Sequence, residues 1–73
     1  MKKQIVRTEA APAPIGPYSQ AVRLGDFVFV AGQGPVDPSV GRVVANDIRG
    51  QTRQTLENLK AIASASGTSL DNA

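Results

Sequence analysis

The 73-residue sequence contains neither cysteine nor histidine, and these two absences exclude several classes of function. Without cysteine the chain has no disulfide and no thiol nucleophile. Without histidine it has no imidazole base and no Ser-His-Asp triad, and a zinc site would have to be built from carboxylates alone. We therefore expect no metal site. Asp26, Asp37 and Asp47 fit turns or a helix cap, and no pair of carboxylates suggests acid–base catalysis.

Aromatic residues and long apolar runs are also scarce. Tyr18, Phe27 and Phe29 are the only aromatic residues, too few to form a stacking platform for nucleic-acid bases. The longest wholly apolar run, residues 27–32, is far too short to span a membrane. A net charge of +2 gives only weak support for nucleic-acid binding. These features predict a cytoplasmic protein with no membrane partner, and they disfavour nucleic acid as a partner.

The length of the chain limits how much surface it can bury. Surface scaling predicts that a domain of this size buries only about 60% of the surface of its unfolded chain, which makes it marginally stable. Chains this small usually need a disulfide, a metal or a partner subunit. Because the first two are excluded, the composition indicates an oligomeric partner.

The order of patterns along the chain predicts an α+β arrangement. Expected in chain order are a strand (3–8), a stiff Pro-rich loop (10–17), two strands of a hairpin (20–24 and 27–31), a turn (37–41), a short edge segment (42–44) and a helix from residue 48. Gly25 and Asp26 between two apolar runs indicate the hairpin. Because residues 27–31 do not alternate with polar residues, we expect both faces of that strand to be covered, one of them by protein that this chain does not supply.

The helix has recognisable start and stop residues. Asn46 or Asp47 is the expected N-cap, and Gly67 is well placed as the residue after the C-cap. Residues spaced three or four apart predict the face that packs on the sheet; they are Ile48, Thr52, Leu56, Leu59 and Ala63, with Thr55 and Ile62 flanking them. Beyond the helix, the segment from Leu70 is expected to lead into a further strand.

Basic residues occupy the opposite face of this predicted helix. Arg49, Arg53 and Lys60 could contact phosphates, but we interpret them as a solvent-exposed face. Glu57 lies three residues before Lys60, a spacing that supports the helix itself.

Tyr18 and the glycines after the third strand are the residues most open to a binding role. Tyr18 directly follows the Pro-rich loop, so it is either a packing anchor or a phenol held at the rim of a pocket. Gly32 and Gly34 would let a ligand approach backbone N–H groups. A dinucleotide-binding loop is disfavoured, because Pro35 and Pro38 prevent the helix that such a loop requires.

Three segments of the chain resemble the Rid proteins (reactive intermediate deaminases, also called the YjgF family). They are residues 13–21 (APIGPYSQA), 27–38 (FVFVAGQGPVDP) and 51–62 (QTRQTLENLKAI), in the order that the family has them. The resemblance implies a chorismate-mutase-like α+β fold, with a mixed sheet packed on helices, of which this chain holds only the first strands and the first long helix. Residues 1–73 are therefore expected to be a single incomplete domain, the N-terminal half.

The resemblance also implies an assembly and an activity. Family members are homotrimers with small-molecule pockets at the subunit interfaces. The archetypal members hydrolyse enamines and imines of the 2-aminoacrylate and 2-iminobutanoate type to 2-oxo acids and ammonia, without a cofactor. Tyr18, Ala31 and Gly32 match the family's substrate-binding positions. The arginine that clamps the substrate carboxylate and the glutamate that positions water belong to the second half, so no catalytic residue is assigned here and the isolated chain is expected to be inactive.

Ala31 departs from the family pattern, because the archetypal deaminases usually carry serine at this position. The lost hydroxyl and the missing arginine support a second hypothesis, a non-enzymatic module that binds a small molecule or has a regulatory role. A third hypothesis, an endoribonuclease or translation inhibitor, is disfavoured by the low charge and the absence of histidine.

Overall fold

An antiparallel sheet opens the chain in the structure, a computed structural model that describes residues 2–73. Met1, the first residue of the predicted 1–73 domain, lies outside the described residues. Strands β1 (Lys3–Val6), β2 (Ala21–Leu24) and β3 (Phe27–Val30) pair in the order β1-β2-β3. The predicted strands and hairpin are confirmed, with ends one or two residues shorter than expected.

A small ribbon and a helix follow the sheet. Strand β4 (Val36–Asp37) pairs antiparallel with β5 (Arg42–Val43), so the predicted edge segment has a partner in the strand exit. Helix α1 spans Ile48–Ala65, and within the described part of the chain no helix combines the length and apolar character needed to cross a membrane. A 3-10 turn occupies Leu70–Asn72, where a strand lead-in was expected. The hydroxyl of Ser69 accepts the N–H of Asp71 at 3.3 Å and stabilises that turn.

The core lies between the sheet and the C-terminal half of α1. Val6 and Ala21 on the inner face of the sheet pack against Ile62, which is fully buried. Val28 lies partly buried at the edge of the same cluster. Five buried apolar residues form the core of the described chain, so it is small even for a domain of this length.

The outer face of the sheet is apolar and uncovered within residues 2–73. Phe27 is opposite Leu24, and Phe29 is opposite Val22, so these four side chains share one face. Phe27 is 68% exposed and Phe29 is 61% exposed, and their rings stack with centroids 6.3 Å apart. Of the two covers expected for this strand, the structure shows one, α1 on the inner face.

The ends of α1 are capped as expected. Asp47 is the N-cap, and its carboxylate accepts the N–H of Gly50 at 2.8 Å. At the other end the N–H of Thr68 donates to the carbonyl of Ala63 at 3.0 Å, and Gly67 adopts φ 84°. This Schellman motif requires the left-handed conformation that glycine adopts without a steric penalty.

The packed face of α1 matches the predicted one only in the last turns, where Ala63 and the flanking Ile62 are buried. Ile48 is 79% exposed and Leu56 is 51% exposed, whereas Asn58 and Ile62 are fully buried. An 18-residue helix is about 27 Å long, while a four-residue strand spans about 13 Å, so the first turns of α1 extend beyond the sheet. The apolar stripe that the periodicity selected therefore lies in solvent at its N-terminal end.

Candidate functional site

A cavity of about 310 Å³ lies where the Pro-rich loop meets the strand exit after β3. The Pro-rich loop forms one wall, and the residues between β3 and β5 form the other. The lining residues are Pro12, Ala13, Ile15, Tyr18, Gln20, Gly32, Gln33, Gly34, Val36, Pro38 and Gly41. None of these lining residues is charged, and Tyr18 contributes the one hydroxyl among them, so the described walls suit a small planar group.

Tyr18 is held at the rim of this cavity by its own backbone. Its N–H donates to the carbonyl of Gly16 at 2.9 Å, which closes a tight turn directly after three prolines. The side chain remains 51% exposed. Of the two sequence interpretations, packing anchor or rim phenol, the exposure and the cavity lining favour the rim phenol.

Gly32 forms part of the opposite wall. A Cβ added at this position would meet no atom within 4 Å, so no neighbour in the described chain requires the residue to be glycine. Gly32 also lines the cavity, so a ligand there can approach its backbone. The structure therefore brings Tyr18 and Gly32 together.

Ala31 does not line the cavity. Its N–H donates to the carbonyl of Gln20 at 2.9 Å, which extends the pairing of β2 and β3 by one residue. By strand alternation Ala31 shares the uncovered face of Phe27 and Phe29. A contact between Ala31 and a substrate thus requires a site that extends onto that face, and it stays a prediction.

Two carboxamide side chains that the sequence reasoning did not select hold the cavity walls. The Gln20 side chain bonds to the backbone of the Pro-rich loop, and Asn58 donates to the carbonyls of Gly34 at 3.1 Å and Val36 at 2.8 Å. Hydrophobic periodicity cannot detect them, because it treats a buried amide as a surface residue. The available clue was that both residues fall within segments matching the family.

Asp37, the last residue of β4, is a charged residue that lies in sequence between two cavity-lining residues, Val36 and Pro38. The carboxylate of Asp37 accepts two hydrogen bonds from Ser39, from its hydroxyl at 2.7 Å and from its N–H at 2.9 Å. These bonds lower the pKa of Asp37 below its ordinary value of 3.8, the side-chain bond contributing most. Asp37 is therefore ionised at neutral pH and serves to fix the turn.

A larger groove, about 480 Å³, lies elsewhere, between β3 and the end of α1. Arg23 lines this groove and donates to the carbonyl of Ser66 at 3.2 Å. Neither Tyr18 nor Gly32 contributes to it. The cavity of about 310 Å³ is the candidate site, because two of the predicted binding residues, Tyr18 and Gly32, line it.

Comparison with known proteins shows which family the sequence matches. The family model described as endoribonuclease L-PSP matches residues 8–73. A RutC family protein of Pyrococcus horikoshii is 57% identical over 70 residues, which are 96% of this chain and 56% of that protein. The 2-iminobutanoate/2-iminopropanoate deaminase of Salmonella typhimurium is 56% identical over 62 residues, which are 85% of this chain and 48% of the enzyme.

A solved structure gives the same likeness in three dimensions. Escherichia coli TdcF with bound serine superposes with a TM-score of 0.86 at 49% identity, over 92% of this chain and 52% of that one. This likeness confirms the α+β fold that the sequence predicts. The chain spans about half the length of the curated relatives it matches.

Proposed function

Since this chain belongs to the Rid family, whose family model is described as endoribonuclease L-PSP, we propose that it forms part of a deaminase for reactive enamines and imines. Its substrates are small acids of the 2-aminoacrylate and 2-iminobutanoate type. The oxygen of one water molecule replaces the nitrogen of the C=N bond, and the two hydrogens of that water leave with the nitrogen as ammonia. The other product is a 2-oxo acid.

The likeness to the Salmonella typhimurium deaminase carries this proposal, because the two chains are 56% identical over 62 residues. The cavity is compatible with it. A volume of about 310 Å³ accommodates an acid of a few carbon atoms, and the uncharged walls leave the counter-charge for its carboxylate to groups outside the described residues.

Three residues of this chain contact the substrate in the proposed complex. Tyr18 offers a phenol that can donate or accept a hydrogen bond at the rim. Gly32 lets the substrate lie close to the backbone, and Ala31 borders the site on the uncovered face of the sheet. These residues bind and orient the substrate, and they perform no proton transfer.

The groups that activate water and neutralise the substrate carboxylate come from outside residues 2–73 in this proposal. Among the described residues the cavity is lined by no Arg, Lys, Asp or Glu. Arg23, Arg42, Arg49 and Arg53 all lie away from its walls. We therefore expect no turnover by these 73 residues in isolation, and no cofactor requirement for the whole protein.

Residues 1–73 form the first half of a larger domain in this proposal, and three such domains assemble into a homotrimer. The half-length coverage of the relatives supports the first statement. The apolar outer face of the sheet, with Phe27 and Phe29 more than half exposed, supports the second. A neighbouring subunit on that face would also complete the site next to Ala31. A cytoplasmic location remains a prediction from the sequence.

The description of the family model favours a second candidate, an endoribonuclease. Arg49, Arg53 and Lys60 form an exposed basic stripe on α1 that could contact an RNA backbone. This stripe supplies positive charge but no acid–base pair, so it favours RNA binding over RNA cleavage. A regulatory module that binds a small molecule without turning it over is the third candidate.

The deciding experiment uses the native gene product that contains these 73 residues. It is mixed with freshly generated 2-aminoacrylate or 2-iminobutanoate, and ammonia and the 2-oxo acid are measured against the buffer rate. Gly32→Ala is the matched variant, because the added methyl meets no atom of the described chain within 4 Å and Gly32 lines the cavity. We expect the variant to keep its unfolding midpoint and to lose most of its kcat/KM.

The possible results separate the candidates. Ammonia release no faster than in buffer contradicts the deaminase, and saturable binding of the 2-oxo acid without release indicates the regulatory module. Cleavage of RNA, or RNA binding that weakens with salt and with Arg53→Met, indicates the nucleic-acid candidate.

A further inference from the structure

Two carboxamide side chains are the largest polar groups buried in this fold. Gln20 is 2% exposed and Asn58 is 0% exposed, and no other side chain of their size except Ile62 is buried as completely within residues 2–73. A buried amide without hydrogen bonds destabilises the fold, so its partners reveal what the group does.

Gln20 bonds to the loop that carries Tyr18. Its Oε1 accepts the N–H of Thr8 at 2.7 Å, and its Nε2 donates to the carbonyls of Thr8 at 3.0 Å and Pro12 at 2.8 Å, with a weaker contact to Ala11 at 3.3 Å. The side chain thereby fixes the start of the Pro-rich wall.

The backbone of Gln20 reaches the other wall. Its carbonyl accepts the N–H of Ala31, the residue that precedes Gly32. One residue therefore sets the relative position of the two segments on which the proposed substrate contacts lie.

Asn58 bonds to the strand exit from the other side. Its Nδ2 uses both hydrogens, one on the carbonyl of Gly34 and one on that of Val36, while its Oδ1 accepts from Gln54 at 2.9 Å. Gly34 and Val36 line the cavity, and Asn58 belongs to α1. The amide thus ties the cavity wall to the helix.

The polar chemistry of Gln20 and Asn58 indicates that they position the cavity walls and do not merely fill space. Every buried side-chain nitrogen and oxygen in the described chain has a partner. Apolar side chains of the same volume would fill the same space without the need to satisfy amide groups. The amides instead bind five carbonyls, and three of these belong to residues that line one cavity, Pro12, Gly34 and Val36.

We infer that Gln20 and Asn58 are positioning residues that set the separation of the two cavity walls, and hence the affinity for the substrate. The inference depends on the proposed function only for its kinetic readout. Neither amide contacts the reacting atoms in this account. Their loss raises KM and leaves kcat nearly unchanged, because a loosened site weakens ground-state and transition-state binding equally.

The test uses the native gene product with Gln20→Met and Asn58→Leu, which retain volume and remove the amides. The matched control is Ser66→Ala, which removes a buried hydrogen bond of 2.7 Å to the carbonyl of Ile62 outside the cavity. We expect all three variants to lower the urea midpoint. Only the two amide variants should raise KM for 2-iminobutanoate by about tenfold, with kcat changed less than about threefold.

NMR provides a second test that does not depend on deaminase activity. NMR signals of the Tyr18 ring and the Gly32 amide, assigned through Tyr18→Phe and glycine labelling, report each wall directly. Gln20→Met should shift the Tyr18 signal and Asn58→Leu the Gly32 signal, whereas Ser66→Ala should shift neither.

The outcomes are distinct. If the amide variants lose stability as the control does but keep KM and both NMR signals, the inference is overturned. If the wild type has no deaminase activity, the proposed function fails and the NMR signals alone decide the inference. Should Asn58→Leu not fold, Asn58→Asp replaces it, because it keeps an acceptor for Gln54 and has at most one proton to donate, so it cannot bind the carbonyls of both Gly34 and Val36.

Discussion

The guanidinium of Arg23 donates to the carbonyl of Ser66 at 3.2 Å, joining β2 to the last turn of α1 across 43 residues of sequence. The carbonyls at a helix C-terminus carry partial negative charge, and a cation there is stabilising. A Cβ on Gly67 would lie 3.1 Å from the same guanidinium, so the Schellman glycine also leaves room for this contact. Sheet, helix end and capping glycine therefore meet at Arg23.

Replacing Arg23 by methionine should destabilise the protein. We expect a loss of about 0.5–1.5 kcal/mol in the free energy of unfolding, the usual value of one hydrogen bond, with the apolar stem of the side chain retained. Urea denaturation measures it, and Arg53→Met on the exposed face of α1 is the control. Equal urea midpoints for Arg23→Met and Arg53→Met would show that the contact between Arg23 and Ser66 does not stabilise the protein.

At Gly50, in the first turn of α1, we expect substitution by alanine to destabilise the protein, although helix propensity alone predicts stabilisation. Alanine is better than glycine inside a helix by about 1 kcal/mol. At Gly50, however, an added Cβ would lie 2.8 Å from the carboxylate of Asp47 and 2.9 Å from Cβ of Ala45. We expect Gly50→Ala to destabilise by about 1 kcal/mol or more, since the cap or the chain before it must shift.

Urea midpoints of Gly50→Ala and of Ser64→Ala, an exposed helical site, check this expectation. The penalty at Gly50 should shrink when Asp47→Ala is present, because one of the two close contacts is then gone. Stabilisation by Gly50→Ala would mean that the N-cap does not require glycine at this position.

Local signals made much of this fold predictable. Asp47 and Gly67 mark the ends of α1 through chemistry that acts within four residues, and Gly25-Asp26 marks the hairpin in the same way. The packed face of α1 was not predictable by the same means. Ile48 and Leu56 satisfy the apolar period, but the sheet lies against the later turns, and Asn58 is buried because its amide bonds to another segment.

The residues of the candidate site also fall into two groups, those that a local motif identifies and those that only the tertiary structure reveals. Tyr18 and Gly32 were identified because a motif names them, and the structure places both on one cavity. Gln20 acts through four hydrogen bonds to a loop 8–12 residues earlier in the chain, which no single-residue pattern encodes. Long-range polar contacts of this kind depend on the tertiary structure.

Asp37 provides a prediction about pH. Its lowered pKa means that the folded state favours the ionised carboxylate. Ionisation of Asp37 therefore stabilises the fold at pH values above the ordinary pKa of 3.8, and this contribution is lost as the pH falls through the lowered pKa. Ser39→Ala removes the larger of the two bonds and should raise the pKa of Asp37 toward its ordinary value. NMR titration of the Asp37 carboxyl measures it. Ser39→Thr keeps the hydroxyl and should leave the pKa lowered, and a pKa unaffected by Ser39→Ala would contradict the assigned cause.

The uncovered face of the sheet predicts the result of an assembly measurement. Phe27→Glu combined with Phe29→Glu places two charges on a face that another subunit covers in the proposed trimer, so the trimer should dissociate. Sedimentation of the native gene product and of this variant gives the masses. Val40→Glu, an exposed residue of the turn between β4 and β5, is the control and should remain trimeric. A monomeric wild type, or a variant of unchanged mass, would contradict the proposed assembly.

Ala31 allows a gain-of-affinity test of the proposed site. The family resemblance implies that archetypal deaminases usually carry serine here. Ala31→Ser adds one donor and one acceptor at the border of the proposed site without removing the N–H bond to Gln20. A neutral hydrogen bond contributes about 0.5–1.5 kcal/mol, so KM for 2-iminobutanoate should fall roughly 2- to 12-fold while the urea midpoint stays the same. Ala65→Ser on the exposed side of α1 should change neither. If KM does not respond to Ala31→Ser, the Ala31 side chain does not face the substrate, and the binding residues of this chain reduce to Tyr18 and Gly32.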